Sequence, residues 1–196
     1  MSEVLRQIWK RLKQFKQYGY DLPASRKFLL KRAGINKGSI LEVGTGKGHL
    51  AVEIAKNGMP ITSVDSDSGQ LSIARRHLKA LKLDRSVTLV KMNAEKLRFK
   101  NRSFDTVVSI DFFHHAESPS RCLKEMIRVA QNTLVIADLN KRGERMMERV
   151  HQEENHHHPV TKIAFKGIRK HLQDNHFVVR VYKKNCHTYL IANRKD

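Results

Sequence analysis

Cysteine is scarce in this sequence. Cys122 and Cys186 stand far apart and form no Cys-x-x-Cys pair, so no disulfide framework organises the chain, and both read as reduced, half-buried thiols of a cytoplasmic protein. Long apolar runs are also missing. Nothing approaches the ~20 residues of a membrane span, and the N-terminus lacks the uninterrupted apolar stretch of a signal peptide. Proline and glycine are few, at 4 and 10 residues, and the hydrophobic fraction is 40%, as in an ordered globular protein. Acids are short as well: 19 Asp plus Glu face 38 Lys plus Arg, a formal charge of +19. That excess has two readings of equal weight: an anionic partner (nucleic acid, an anionic lipid face, a phosphorylated substrate) or a lysine-rich solvated surface. The 196 residues suffice for one compact domain with a sizeable core.

What is present centres on Ser39-Ile40-Leu41-Glu42-Val43-Gly44-Thr45-Gly46-Lys47-Gly48-His49-Leu50. A short β-branched run breaks into three glycines on alternate positions, and Leu50, Ala51, Ile54 and Ala55 follow at helical spacing. This is strand, tight turn, helix, with glycines that admit positive φ and let a ligand approach the main chain. A dinucleotide fingerprint would read G-x-G-x-x-G, but here His49 occupies its last position and the third glycine comes one residue early. No Gly-Lys-Ser/Thr closes the run, so a Walker A loop is excluded. Glu42 inside the strand favours a cationic ligand over a pyrophosphate. Downstream, Ile61-Thr62-Ser63-Val64-Asp65 reads as a second strand ending in an acid, near the ~20-residue spacing at which such an acid meets ribose hydroxyls. A ribose, a positive group and no diphosphate describe S-adenosylmethionine.

At this point the sequence resembles the class I S-adenosylmethionine-dependent methyltransferases, in particular the branch of ubiquinone/menaquinone-biosynthesis-type enzymes. The glycine motif and Asp65 carry the resemblance, with Asn93-Ala94-Glu95-Lys96-Leu97, Ser103-Phe104-Asp105-Thr106-Val107-Val108 and Asp111-Phe112-Phe113-His114-His115. It extends from about Ile35 to Ala137. There are three departures: Asn93 stands where the family has Asp, Arg98 where it has Pro, and Ala130-Gln131-Asn132 where Pro-Gly-Gly precedes the fifth strand. The resemblance implies a doubly wound, Rossmann-like α/β fold whose seven-stranded, mostly parallel sheet ends in an antiparallel strand. It implies S-adenosylmethionine as cofactor and S-adenosylhomocysteine as product. The cofactor site would comprise Glu42, Gly44, Thr45, Gly46, Gly48, Asp65, Ser66, Asn93, Ala94, Glu95 and Asp111. Within it Glu42, Gly44 and Gly46 face the methionine part, Asp65 the ribose, Asn93 and Ala94 the adenine, and Asp111 the methyl group.

Taken in order, residues 2–17 predict a helix with an apolar stripe of Val4, Leu5, Ile8, Trp9, Leu12 and Phe15, the rest covered by Arg6, Lys10, Arg11, Lys13 and Lys16. It either rests on a membrane or acidic partner or packs on the domain as a lid, and the lid is preferred. Tyr18, Gly19 and Tyr20 form a hinge-like turn, and residues 23–32 a second helix. Residues 1–34 are thus set apart from a cofactor-binding domain over 35–196. Strands are expected at 40–43, 61–64, 87–92, 104–110 and 133–137, with helices at 48–57, 66–82 and 119–129 between them. This alternation calls for a parallel sheet with helices on both faces, and ligands bind beyond its strands' carboxyl ends. Glu42, Asp65, Asp111 and Asp138 all fall on that rim and predict an electronegative cleft; for Asp138 the alternative is a helix cap. Helices over 140–154 and 161–175 and a terminal hairpin, 177–182 with 188–192, complete the chain. His151, Glu154, His156, His157 and His158 offer metal-ligand types. Consecutive histidines do not share a helix face, however, and Pro159 marks a turn, so no metal site is assigned.

Methyl transfer from a sulfonium is an in-line displacement that needs alignment and exclusion of water, with a base only for a protonated nucleophile. Asp111, His114 and His115 are the catalytic candidates, the histidines as bases at the substrate mouth. Three functions follow. The first is methylation of a small-molecule acceptor. The second is methylation of RNA, suggested by the charge but weakened because Ser109-Ile110-Asp111-Phe112 is not the Asn/Asp-Pro-Pro-Tyr/Phe stretch of the amino-methylating enzymes. The third is a methyltransferase-like domain that binds without turnover.

Overall fold

The computed structural model describes residues 2–153 and 164–195. The side chains of 151–163 lie outside that description, and with them the histidine-rich stretch weighed above as a metal site. The elements are α1 (Glu3–Gln17), α2 (Leu22–Ala33), β1 (Ile40–Val43), α3 (His49–Lys56), β2 (Ile61–Asp65), α4 (Ser68–Ala80), β3 (Val87–Lys91), β4 (Phe104–Ile110), α5 (Pro119–Val129), β5 (Ala130–Leu139), α6 (Lys141–Glu153), α7 (Phe165–Asp174), β6 (Phe177–Lys184) and β7 (His187–Arg194). They build a seven-stranded sheet of order β3-β2-β1-β4-β5-β7-β6. The pairs β1–β2, β1–β4, β2–β3 and β4–β5 are parallel, while β7 runs antiparallel to both β5 and β6. Strand order reverses between β1 and β4, the switch point at which such sheets open a crevice.

Strand periodicity divides the core into two layers. Leu41, Val43 and Val107 point to one face and pack with α5 and α7 through Leu123, Met126 and Leu172. Ile40, Ile61, Val108 and Ile110 point to the other, against Leu29 of α2, Leu50 and Ile54 of α3, and Leu78 of α4. A third cluster joins Tyr20, Leu22, Met146, Val150 and Cys186, with Leu12 and Phe15 of α1 packed against it. The first two helices are thereby docked on the domain, α1 resting on α2 and α4.

One element is longer than the sequence suggests. β5 begins at Ala130, directly where α5 ends, and runs to Leu139. With no Pro-Gly-Gly to break the chain, Ala130-Gln131-Asn132 continues as strand, and Ala130 already pairs with Phe104. Asp138 therefore lies inside a strand, and the cap of α6 is supplied by Asn140, whose Oδ1 accepts from the Arg142 and Gly143 amides.

Candidate active site

The turn after β1 is shaped by positive φ angles and, at Gly44, by a close contact that only glycine tolerates. Gly44 has φ +86°, and a Cβ there would lie 2.6 Å from Cδ2 of Phe112, whose ring covers it. The Gly44 and Thr45 amides both donate to the Val64 carbonyl, which ties the turn to β2. Gly46 has φ +49° with open space where a Cβ would be, and its amide donates to Asp65 Oδ2 at 2.8 Å. Gly48, expected on the cofactor, is instead the N-cap of α3 in a left-handed conformation, packed on Ala74 and outside the cavity wall.

That cavity, about 680 Å³, opens at the carboxyl ends of β1, β2 and β4. Glu42, Gly44, Thr45, Gly46, Asp65, Ser66, Asn93, Ala94, Glu95, Asp111, His114 and His115 all line it, so the candidates except Gly48 converge on one space. At its floor Glu42 is buried and accepts a hydrogen bond from the Ser63 hydroxyl at 2.5 Å. Burial pushes its carboxyl up to about 8, outweighing the Ser63 bond and the Arg26 charge. Asp65 is held by the Gly46 amide on one oxygen and the Asp67 amide, 2.9 Å away, on the other. A carboxylate has about four acceptor positions, so two amides leave room for a pair of hydroxyls. Asn93 spends its Oδ1 on the Glu95 amide at 2.8 Å, which shapes the loop after β3.

Asp111 differs from its neighbours. Its φ of +56° turns the chain sharply after β4, and its carboxylate is enclosed by protein donors. His187 Nε2 lies 2.6 Å from Oδ1; the Tyr20 hydroxyl donates to Oδ2 at 2.5 Å and Arg26 Nη2 at 2.7 Å. Arg26 Nη1 also donates to the Tyr20 oxygen, and Ser25 links His187 to Tyr189. Burial alone would raise the Asp111 carboxyl, but the attraction of His187 and Arg26 and these hydrogen bonds hold it well below the carboxylate range. The expected electronegative rim is therefore thinner than the sequence count of acids suggests. Glu42 and Asp65 keep their carboxyl groups on the cavity with no salt bridge among the described residues, whereas Asp111 and Asp138 are spent on protein partners.

Asp138 holds a histidine. Its Oδ1 lies 2.5 Å from Nδ1 of His114, both groups being buried. Burial opposes protonation of His114, but the hydrogen bond and charge of Asp138 win and raise its pKa. A carboxylate on Nδ1 fixes that nitrogen as the donor and leaves the imidazole lone pair on Nε2. His115 is exposed at the mouth, its ring 3.8 Å from that of His114 between centroids. Nearby, His49 is neutral at all ordinary pH because burial pushes it down to about 3.

Sequence reasoning missed Arg26 and His187. Among 38 Lys and Arg an arginine attracts no notice, yet Arg26 occupies the stripe of Leu22, Leu29 and Leu30, where a charge has to be paired. That spacing was the available signal. His187 opens a strand at the far end of the chain, and only the antiparallel return of β7 beside β5 brings it to Asp111.

The residues present fit S-adenosylmethionine on three counts. Glu42 and Asp65, neither of them in a salt bridge among the described residues, supply carboxyl groups for an ammonium, beside which Glu42 ionises, and for ribose hydroxyls. Gly46 leaves main chain open to the cavity. Arg26, in the wall, carries a buried Nε–H that has no partner among the described residues, a donor suited to a carboxylate.

A methyltransferase-domain family model matches residues 41–136. The chain is 32% identical over 94 residues to a phosphatidylethanolamine N-methyltransferase of Cereibacter sphaeroides, covering 48% of this chain and 46% of that protein. It is 28% identical over 131 residues to a ubiquinone biosynthesis O-methyltransferase of Hahella chejuensis, covering 66% and 54%. The chain thus spans about half the length of these relatives. Among solved structures, a magnesium protoporphyrin IX methyltransferase from Synechocystis with bound S-adenosylhomocysteine superposes with a TM-score of 0.73 at 18% identity, covering 98% of this chain and 95% of that one. An S-adenosylmethionine-dependent methyltransferase from Aquifex aeolicus gives 0.68 at 20% identity, with 87% and 89% covered. At such identities these structures speak for the fold.

Proposed function

Because the chain belongs to the class I S-adenosylmethionine-dependent methyltransferases, we propose that it methylates a small-molecule acceptor whose nucleophile carries a proton. The observation that supports this reading most is the Asp138–His114 pair beside Glu42 and Asp65 in one cavity. The cofactor, when bound, supplies an electrophilic methyl group on a sulfonium. The chain's own residues do the rest. Glu42 faces the amino group, Asp65 accepts from the ribose hydroxyls, Arg26 Nε–H donates to the amino-acid carboxylate, and the segment 93–95 borders the adenine. Thr45, held through its hydroxyl to Ser63, and Ser66 fill the wall between them.

His114 takes the acceptor's proton at Nε2 as the nucleophile advances, and Asp138 stabilises the imidazolium that results. A phenol, enol or thiol acceptor needs such a base, whereas an already neutral amine does not. Asp111 serves this reading as a positioning residue, its carboxylate fixing Tyr20 and Arg26 against the cavity. Residues 1–34 act as a cover, since Arg11, Phe15, Tyr20, Leu22 and Arg26 all line the cavity and help exclude water from the reacting centre.

The test is to incubate the protein with methyl-labelled S-adenosylmethionine and a low-mass cell extract, with total RNA in a parallel reaction. Label in an organic-soluble or low-mass product supports the proposal. Label recovered only in nuclease-sensitive material, or no transfer despite cofactor binding, overturns it.

A further inference from the structure

The exposed side of α1 does nothing for the cavity. Its other side is occupied: Ile8 is buried, Leu12 and Phe15 pack on the cluster around Tyr20, and Arg11 and Phe15 reach the cavity wall. At 100° per residue, Arg6, Trp9, Lys10, Lys13 and Lys16 fall together on the opposite side, and all are exposed. Trp9 is the sole tryptophan of the chain and is 61% exposed, although tryptophan is among the most buried residue types on average. Half-buried Leu5 and Leu12 border it, within a turn on the same edge. Glu3 is engaged by Arg6 at 2.9 Å and Asp21 by Lys16 at 3.1 Å, and among the described residues no carboxylate pairs with Lys10 or Lys13.

We propose that this face of α1 is a docking surface for an anionic lipid bilayer, with Trp9 and Leu5 entering the headgroup boundary and Lys10 and Lys13 meeting lipid phosphates. A lone exposed aromatic carries little meaning; the combination does. An interfacial helix joins an indole, aliphatic neighbours and a row of cations on one side. RNA would use the cations and could stack on the indole, but its surface offers nothing for Leu5. The formal charge of +19 adds long-range attraction to an anionic sheet. The proposal is independent of the acceptor's identity and of turnover.

Trp9 is its own reporter. The full chain is titrated with vesicles of phosphatidylcholine alone or with phosphatidylglycerol, following tryptophan emission and co-sedimentation, and with a single-stranded RNA in parallel. Anionic vesicles should shift the emission to the blue and carry the protein down. Neutral vesicles should do neither. Lys10→Gln and Lys13→Gln should each weaken binding about fivefold, since a basic residue near such a surface contributes about 1 kcal/mol. Together they should weaken it about 30-fold, with cofactor affinity unchanged as the control for folding. No shift with anionic vesicles, equal binding to neutral ones, indifference to both substitutions, or a response to RNA alone would overturn the proposal.

Discussion

Glu42 is the residue whose state changes most with occupancy. In the ligand-free protein, burial holds its carboxyl up to about 8, so near pH 7 it is largely protonated. A cationic amine placed beside it favours the ionised form and lowers that value. Binding of S-adenosylmethionine at pH 7 should therefore release close to one proton, measured by calorimetry in buffers of different ionisation enthalpy. Glu42→Gln should abolish the release and weaken binding about tenfold; release that persists in the variant would assign the proton elsewhere. His114 makes a separate prediction. His114→Gln should lower kcat by about 10²–10⁴ and remove the acidic limb of the pH–rate profile, with cofactor affinity intact. An unchanged rate would mean that the acceptor needs no base. Both were legible in the sequence because Glu42 stands in a strand just before the glycines and His114 just beyond the end of another strand. Their protonation states were not, since these depend on Ser63, Asp138 and depth of burial.

At the scale of elements, the network of Tyr20, Arg26, Asp111 and His187 ties the α1–α2 turn, α2, the end of β4 and the start of β7 into one unit. Removing one partner of a buried ion pair leaves the other unpaired. Asp111→Asn should thus cost about 3 kcal/mol, seen as a lower urea midpoint at unchanged slope. A loss under about 0.5 kcal/mol would show that the network does not hold the N-terminal helices. The β-α alternation from Ile40 to Val129 could be read closely because strand and helix periods differ so plainly there. Less could be read where a single motif decides. The extension of β5 followed from the absence of a turn signal, and the role of Asp111 depended on a partner 76 residues away in sequence, at His187.

For the molecule as a whole, the shifted groups set a pH window for folding. His49 is held down to about 3 against an ordinary 6.5, so its neutral form favours the fold and stability falls as pH drops below 6.5. Asp111 lies well below its ordinary 3.8 and adds to the loss in acid. Glu42, raised from 4.5 to about 8, acts in the other direction, and its contribution is lost between those values as pH rises. His114, raised above 6.5, contributes fully below that value and less above it. Between about 4.5 and 6.5 His49 and Glu42 oppose one another, so urea midpoints should form a plateau there and fall on both sides. Glu42→Gln should flatten the fall between 6.5 and 8. A midpoint still rising through pH 8 would contradict these assignments.

The central claim is that a sulfonium nucleoside occupies the cavity with its sugar on Asp65, and calorimetric titration of S-adenosylmethionine into the intact chain and into Asp65→Ala tests it most directly. Saturable binding by the intact chain, weakened about 100-fold in the variant through the loss of two charge-assisted hydrogen bonds, is the predicted result. Absence of binding at millimolar nucleoside, or equal affinity in both proteins, would contradict it.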